Sequence, residues 1–145
     1  MYVRCLVLVL ALTFMTVPMA SAANAEGQWT SSFSGWLPGM KTRVWENKAN
    51  NASNRLEMKK CTFTTERAGG SLTANSVHME LQRRDTWTPD ENYGQKKMNC
   101  NKSNTLVKQD WGKRGKGRFS YVLRKVNGTV NAPDHLHCGF IRAKF

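Results

Sequence analysis

The sequence predicts an all-β fold, a compact antiparallel β-sandwich of immunoglobulin-like type with about seven to eight strands. Three observations carry that expectation. Apolar and polar residues alternate in several short segments, turn-forming residues separate those segments, and no window sustains a helical period with caps at its ends.

Taken in chain order, the first candidate is aromatic rather than alternating. Trp29, Phe33, Trp36 and Leu37 precede the first clear strand and read as an apolar segment able to dock into a partner by strand addition. Residues 43–60 place Val44, Lys48 and Asn51 at helical spacing. Four asparagines within 47–54 argue instead for a loop, because Asn side chains compete with the helix for backbone hydrogen bonds. Leu56 and Met58 alternate with Arg55, Glu57 and Lys59. Cys61 and Phe63 continue the segment on the other phase, which predicts a bulge or a change of face. Residues 77–82 alternate most cleanly, with Val77, Met79 and Leu81 against His78, Glu80 and Gln82. In 118–126, Phe119, Tyr121 and Leu123 take one side. Val122 and Val126 take the other, as in a strand covered on both faces. Asn127-Gly128 tolerates positive φ at both positions and favours a tight turn. The chain then ends with Cys138 and Phe140 on one phase and Ile141, Ala143 and Phe145 on the other, the pattern of a paired terminal strand. Pro38-Gly39, Gly69-Gly70, Pro89-Asp90, Gly112, Gly115, Gly117 and Pro133-Asp134 punctuate the gaps.

The first residues bear on location. Arg4 precedes an apolar run from Cys5 to Val17, and Ala20-Ser21-Ala22 and Ala23-Asn24-Ala25 both have the small-residue form of an export cleavage site. The expectation is a signal peptide over residues 1–22, with cleavage as late as 25, and one secreted domain over 26–145. The apolar run is too short for a membrane span. Of the four cysteines, Cys5 lies in this leader, leaving Cys61, Cys100 and Cys138 for an oxidising exterior. One intramolecular disulfide is expected, with three pairings open. Cys61 with Cys100 is favoured because both lie near ends of strand-like segments. The remaining thiol is then either a buried, inert side chain or a link to another chain.

Charge narrows the partners. The formal net charge is +12, of which Arg4 supplies one. Lys59-Lys60, Arg83-Arg84, Lys96-Lys97 and the run from Lys113 to Arg118 concentrate it. Such a surface attracts polyanions: anionic wall polymers, lipid head groups, nucleic acid or an acidic protein. The best binding candidate is Lys113, Arg114, Lys116 and Arg118, where intervening glycines let backbone N–H groups and cations fold around an anion. Trp111 is expected to add a contact face beside them, and Trp29 and Trp36 to form part of the binding surface.

Chemistry-bearing motifs are sparse. His135-Leu136-His137 on a strand would put two imidazoles on one face. Zinc needs further ligands and Cys138 points the other way, so no metal is expected. His78, Glu80, His135 and His137 are residue types a nuclease uses, but they form no recognisable spacing. No Gly-x-Ser-x-Gly elbow is present and no cofactor motif stands out.

Gly117-Arg118-Phe119-Ser120-Tyr121-Val122-Leu123, then Lys125-Val126-Asn127-Gly128, with Ser34-Gly35 and Arg43-Val44-Trp45 upstream, resembles small secreted β-sandwich proteins of actinobacteria. That resemblance implies fold and export more than activity. Some small exported actinobacterial proteins serve as adaptor subunits of large antibacterial toxin particles. The function expected from residues and resemblance together is a secreted, basic, non-enzymatic protein that engages an anionic cell-wall polymer or an acidic protein partner. The alternatives are an adaptor or small subunit of a secreted multi-protein assembly, such as an antibacterial toxin particle, and a cationic nuclease-type toxin.

Overall fold

The computed structural model describes residues 27–65, 70–74, 76–130 and 134–145, so the expected leader and the turn signals at Gly69 and Pro133 lie outside the described residues. The described elements are β1 (Gln28–Trp36), β2 (Trp45–Asn47), β3 (Ser53–Thr65), β4 (Gly70–Thr73), β5 (Val77–Arg83), β6 (Glu91–Met98), β7 (Val107–Lys113), β8 (Gly117–Val126) and β9 (Asp134–Lys144). They form two antiparallel sheets. One runs β1-β9-β3-β4, with β7 also paired to β3, and the other runs β2-β8-β5-β6. The sandwich is therefore as expected. Nine strands among the described residues exceed the expected number, and β2 and β4, of only three and four residues, are too short to show an alternation.

The clearest alternations become the core. Val77, Met79 and Leu81 of β5 lie beside Phe119, Tyr121 and Leu123 of β8, all of them fully buried. Leu56 and Met58 of β3 with Ile141 and Ala143 of β9 close the core from the other sheet. Burying a side chain of this size contributes roughly 1.5–3 kcal/mol. Trp45 anchors the aromatic part, with ring centroids 5.0 Å from Tyr121, 5.6 Å from Phe145 and 6.0 Å from Trp29. One face assignment changes. A register shift opposite His78 and Met79 brings Val126 round to the core, while Val122 stays on the outer face beside its cross-strand neighbour Glu80. Glu80 is buried there against Arg124 and Gln82.

The phase shift in β3 is a change of face shared with β9. Leu56 and Met58 point inward before it, Cys61 and Phe63 after it. On β9, Leu136 and Cys138 point inward and then Ile141 and Ala143. The register is unbroken through the change, from Lys59↔Phe140 to Cys61↔Cys138. Lys60 makes it possible by adopting a φ of 57°, unusual for a residue with a side chain. Gly139 opposite leaves room for it, since a Cβ there would sit 3.1 Å from the Cβ of Lys60, a tight approach that would make one of the two give by a few tenths of an ångström. The free edge of β3 is consequently served in three pieces. β7 pairs with its first part, β4 with its last, and between them the backbone N–H groups of Lys60 and Cys61 donate to Ser103 and Asn101 carbonyls of the β6–β7 connection.

Candidate functional site

The register places three connections at one end of the sandwich. β2 to β3, β5 to β6 and β7 to β8 all turn there, since Asn47 pairs with Gly117, Ser53 pairs with Lys113, and the Arg84 N–H donates to the Arg118 carbonyl at 2.7 Å. The β7–β8 connection is a corner of only three residues, Arg114 to Lys116, crossing from one sheet to the other. Gly115 within it and Gly112 near the end of β7 take a left-handed backbone, at φ 71° and 74°, a conformation that costs a side-chain-bearing residue free energy.

Asp110 holds the corner's approach. Its carboxylate accepts from the Gly112 N–H at 2.6 Å, from the Ser53 hydroxyl at 2.5 Å and from Arg55 at 3.2 Å. Burial by itself would raise the Asp110 pKa. The hydrogen bonds from Ser53 and Gly112 and the Arg55 charge outweigh that and hold it below the ordinary value. The Lys96 ammonium donates to the Asp110 carbonyl at 2.6 Å, tying β6 to β7 across the two sheets.

On this scaffold Lys113, Lys116 and Arg118 are exposed, and none forms an ion pair among the described residues. Glu46 is the cross-strand neighbour of Arg118 on β2 without pairing to it. Arg114 is half-buried, its guanidinium 4.7 Å from the centre of the Tyr93 ring. Arg83 and Arg84 at the same end are partly neutralised by Asp85 and Asp90. The connection between them and β6 carries Trp87, 94% exposed. A bare indole and unpaired cations presented at the same end form a surface suited to an anionic ligand with a flat or ring-shaped repeat.

The predicted tryptophans are placed differently from expectation. Trp111 is 1% exposed, so it offers no contact face. Its indole N–H donates to the Gly94 carbonyl at 2.9 Å, its ring packs 5.0 Å from Tyr121, and Lys96 lies over it. It is the pillar beneath the corner. Trp29 is buried in the core. Trp36 is half-buried and stacks on Phe33 at 4.1 Å. The aromatic segment is β1 itself, already paired with β9, and so it is consumed by the protein's own sheet. What remains open is the outer edge of β1, where Trp29, Phe33 and Trp36 line a cleft of about 100 Å³ with Arg43 at its rim. The tryptophan that does reach solvent is Trp87. Its sequence cues were the adjacent Pro89-Asp90 turn signal and the nearby Arg83-Arg84 pair.

The histidines are dispersed. His135 and His137 occupy the outer face of the first sheet, His78 and Glu80 that of the second, so the nuclease-like residue types do not converge. His137 accepts at Nδ1 from Ser34, 2.7 Å away, and from the Gly35 N–H. Its Nε2 donates to Thr64 at 3.0 Å. These contacts fasten the irregular end of β1, where the register shifts between Phe33 and Trp36. Neither histidine belongs to a group of metal-binding side chains among the described residues. The outer face of the second sheet has its own polar anchor. Burial would raise the Glu80 carboxyl, but hydrogen bonds from Arg124, Asn92 and Gln82 hold it below its ordinary pKa.

Fold and site together define a β-sandwich with a cationic loop end. No protein family, curated protein or solved structure matches the chain.

Proposed function

We propose that this protein is a secreted, non-enzymatic binding module that captures an anionic polymer through the β7–β8 corner. The observation that carries the reading is the placement, at one end of the sandwich, of Lys113, Lys116 and Arg118 without ion-pair partners among the described residues, with the exposed Trp87 on another connection at that end. Arg114 contributes from its perch on Tyr93. Capture is electrostatic, with Trp87 supplying the flat contact that Trp111, being buried, does not. The Cys61–Cys100 disulfide supports an oxidising location. Among the described residues no helix is long and apolar enough to cross a membrane.

Each Lys or Arg held against an anionic surface contributes about 1 kcal/mol. Neutralising Lys113, Arg114, Lys116 and Arg118 together is expected to weaken retention on heparin or an anionic wall polymer by roughly 100-fold or more at low salt. Trp87→Ala should weaken it further at high salt, where screening leaves the ring contact as the larger part. Unchanged retention of the quadruple variant would remove the assignment.

A second reading, an adaptor subunit of a secreted assembly, is favoured by one observation: β1 is an edge strand with an aromatic cleft along it. Co-purification of a stoichiometric companion from culture fluid supports that reading, and a strictly monomeric protein without companions counts against it.

A further inference from the structure

The change of face in β3 and β9 assembles a feature that polyanion binding does not use. Cys61 and Cys138 are direct cross-strand partners at that point. Cys100 follows β6 and is brought to them by the β6–β7 connection, whose Asn101 and Ser103 carbonyls accept from the backbone of Cys61 and Lys60. Cys61 and Cys100 form the disulfide, and the Cys138 sulfur lies 3.5 Å from that of Cys61. All three sulfurs lie within 4.8 Å of one another, on residues that are 0%, 1% and 1% exposed.

We propose that Cys61, Cys100 and Cys138, once reduced, are a three-thiolate site for a soft monovalent cation, with Cu(I) the ion its geometry fits. A metal–thiolate bond of about 2.3 Å in a planar trigonal arrangement sets the sulfurs roughly 4 Å apart. The Cys61–Cys138 separation of 3.5 Å is close to that, while the bonded Cys61–Cys100 edge opens to it on reduction. The number of donors selects the ion. No His, Asp or Glu joins the group among the described residues, whereas structural zinc sites take four protein ligands and catalytic ones three with a water. A buried site offering three sulfurs suits a soft ion that accepts three-coordination.

The chemistry closes without an unnamed reactant. Two equivalents of a small-molecule thiol reduce the Cys61–Cys100 disulfide to two thiols and leave as their own disulfide. The cation then binds three sulfurs and three thiol protons pass to solvent, with no change in the oxidation state of the metal. Burial pushes the Cys138 thiol up to about 11, and it donates to the carbonyls of Phe140 and Lys59. Because binding releases three thiol protons, it strengthens as pH rises, and disulfide and metal exclude one another.

The test uses the full mature chain, reduced anaerobically with a phosphine, and Cu(I) supplied as its acetonitrile complex in competition with a chromogenic copper chelator. The expected result is one Cu(I) per chain, three Cu–S contacts by X-ray absorption, no uptake by the disulfide form, and affinity roughly 100-fold or more lower in Cys138→Ser. Zn(II) should compete poorly. Cys138→Ser keeps the disulfide, so its fold can be verified in the oxidised state before reduction. If reduction unfolds the wild-type chain, recovery of the strand circular-dichroism spectrum on adding Cu(I) supports the site. Absence of uptake or of that recovery overturns it. Equal affinity in Cys138→Ser, a two-sulfur spectrum, or tighter binding of Zn(II) also overturns it.

Discussion

The two ends of this sandwich are secured by different physics. At one end, three connections meet and are positioned by a carboxylate, two left-handed glycines and a buried tryptophan, while Lys113, Lys116 and Arg118 stay unpaired among the described residues. At the other, the β6–β7 connection is fastened covalently by Cys100 to Cys61 and by backbone hydrogen bonds into a gap between β4 and β7. The cationic end is free to touch a ligand because its fixing points lie beneath the surface. At the cysteine end the connection is locked and the three sulfurs are closed to solvent. The contrast teaches that exposure of charge and rigidity of the supporting backbone are compatible only when separate residues carry the two tasks, as Lys113 and Asp110 do here.

The largest expected effect tests the pillar of the cationic end. Trp111→Ala empties a fully buried site and removes the tie to Gly94, so chemical denaturation should show a loss of about 3–5 kcal/mol. A loss under 1 kcal/mol would mean the corner is held some other way. Next comes the covalent end. Breaking a disulfide that spans 39 residues of sequence costs about 4 kcal/mol in the chain-entropy account. Cys61→Ser should show that loss in full. Cys100→Ser should recover part of it, because Cys61 then oxidises with Cys138 across the β3–β9 pair. Peptide mapping reads the new pairing, and equal losses in the two variants with no Cys61–Cys138 bond would contradict it.

A smaller effect distinguishes the ends by pH. Asp110 and Glu80 have pKa values below their ordinary ones in the folded chain, so their contributions are present above about pH 4 and fade as pH falls through the folded values. Asp110→Asn should cost about 1 kcal/mol at neutral pH, the group being partly exposed and screened, and should flatten the acid limb of the stability profile. An acid limb unchanged in Asp110→Asn would show that its hydrogen bonds to Gly112 and Ser53 contribute nothing net.

What the amino-acid pattern revealed and what it hid follow from where each residue's environment is decided. β5 and the first half of β8 were evident because one face of each is wet or polar and the other packs on a single core, which writes a period of two. The change of face in β3 was visible as a phase break at Cys61, but its cause, a positive φ at Lys60 facing Gly139, depends on two strands approaching each other. The Cys61–Cys100 pairing was anticipated on the wrong ground, since Cys61 sits within the thirteen-residue β3 and not near its end. β1 was taken for a docking segment because Ser31, Ser32 and Ser34 dilute its apolar face. β6 was missed because Glu91–Met98 is mostly exposed and mostly polar. Trp111 and Trp87 looked alike in sequence, both beside turns and near cations. Only the crossing of β7 onto Gly94 buries one and leaves the other bare.

The central claim is positional: binding belongs to one end of the molecule and not to its overall positive charge. Two variants of equal net charge test it most directly. One neutralises Lys113, Lys116 and Arg118 at the β7–β8 corner. The other neutralises Lys60, Lys102 and Lys125, which lie toward the cysteine end. Affinity for an immobilised anionic polymer, measured across graded salt, should collapse in the first and stay near that of the unaltered protein in the second. Equal loss in both would mean that charge alone, wherever placed, accounts for the binding.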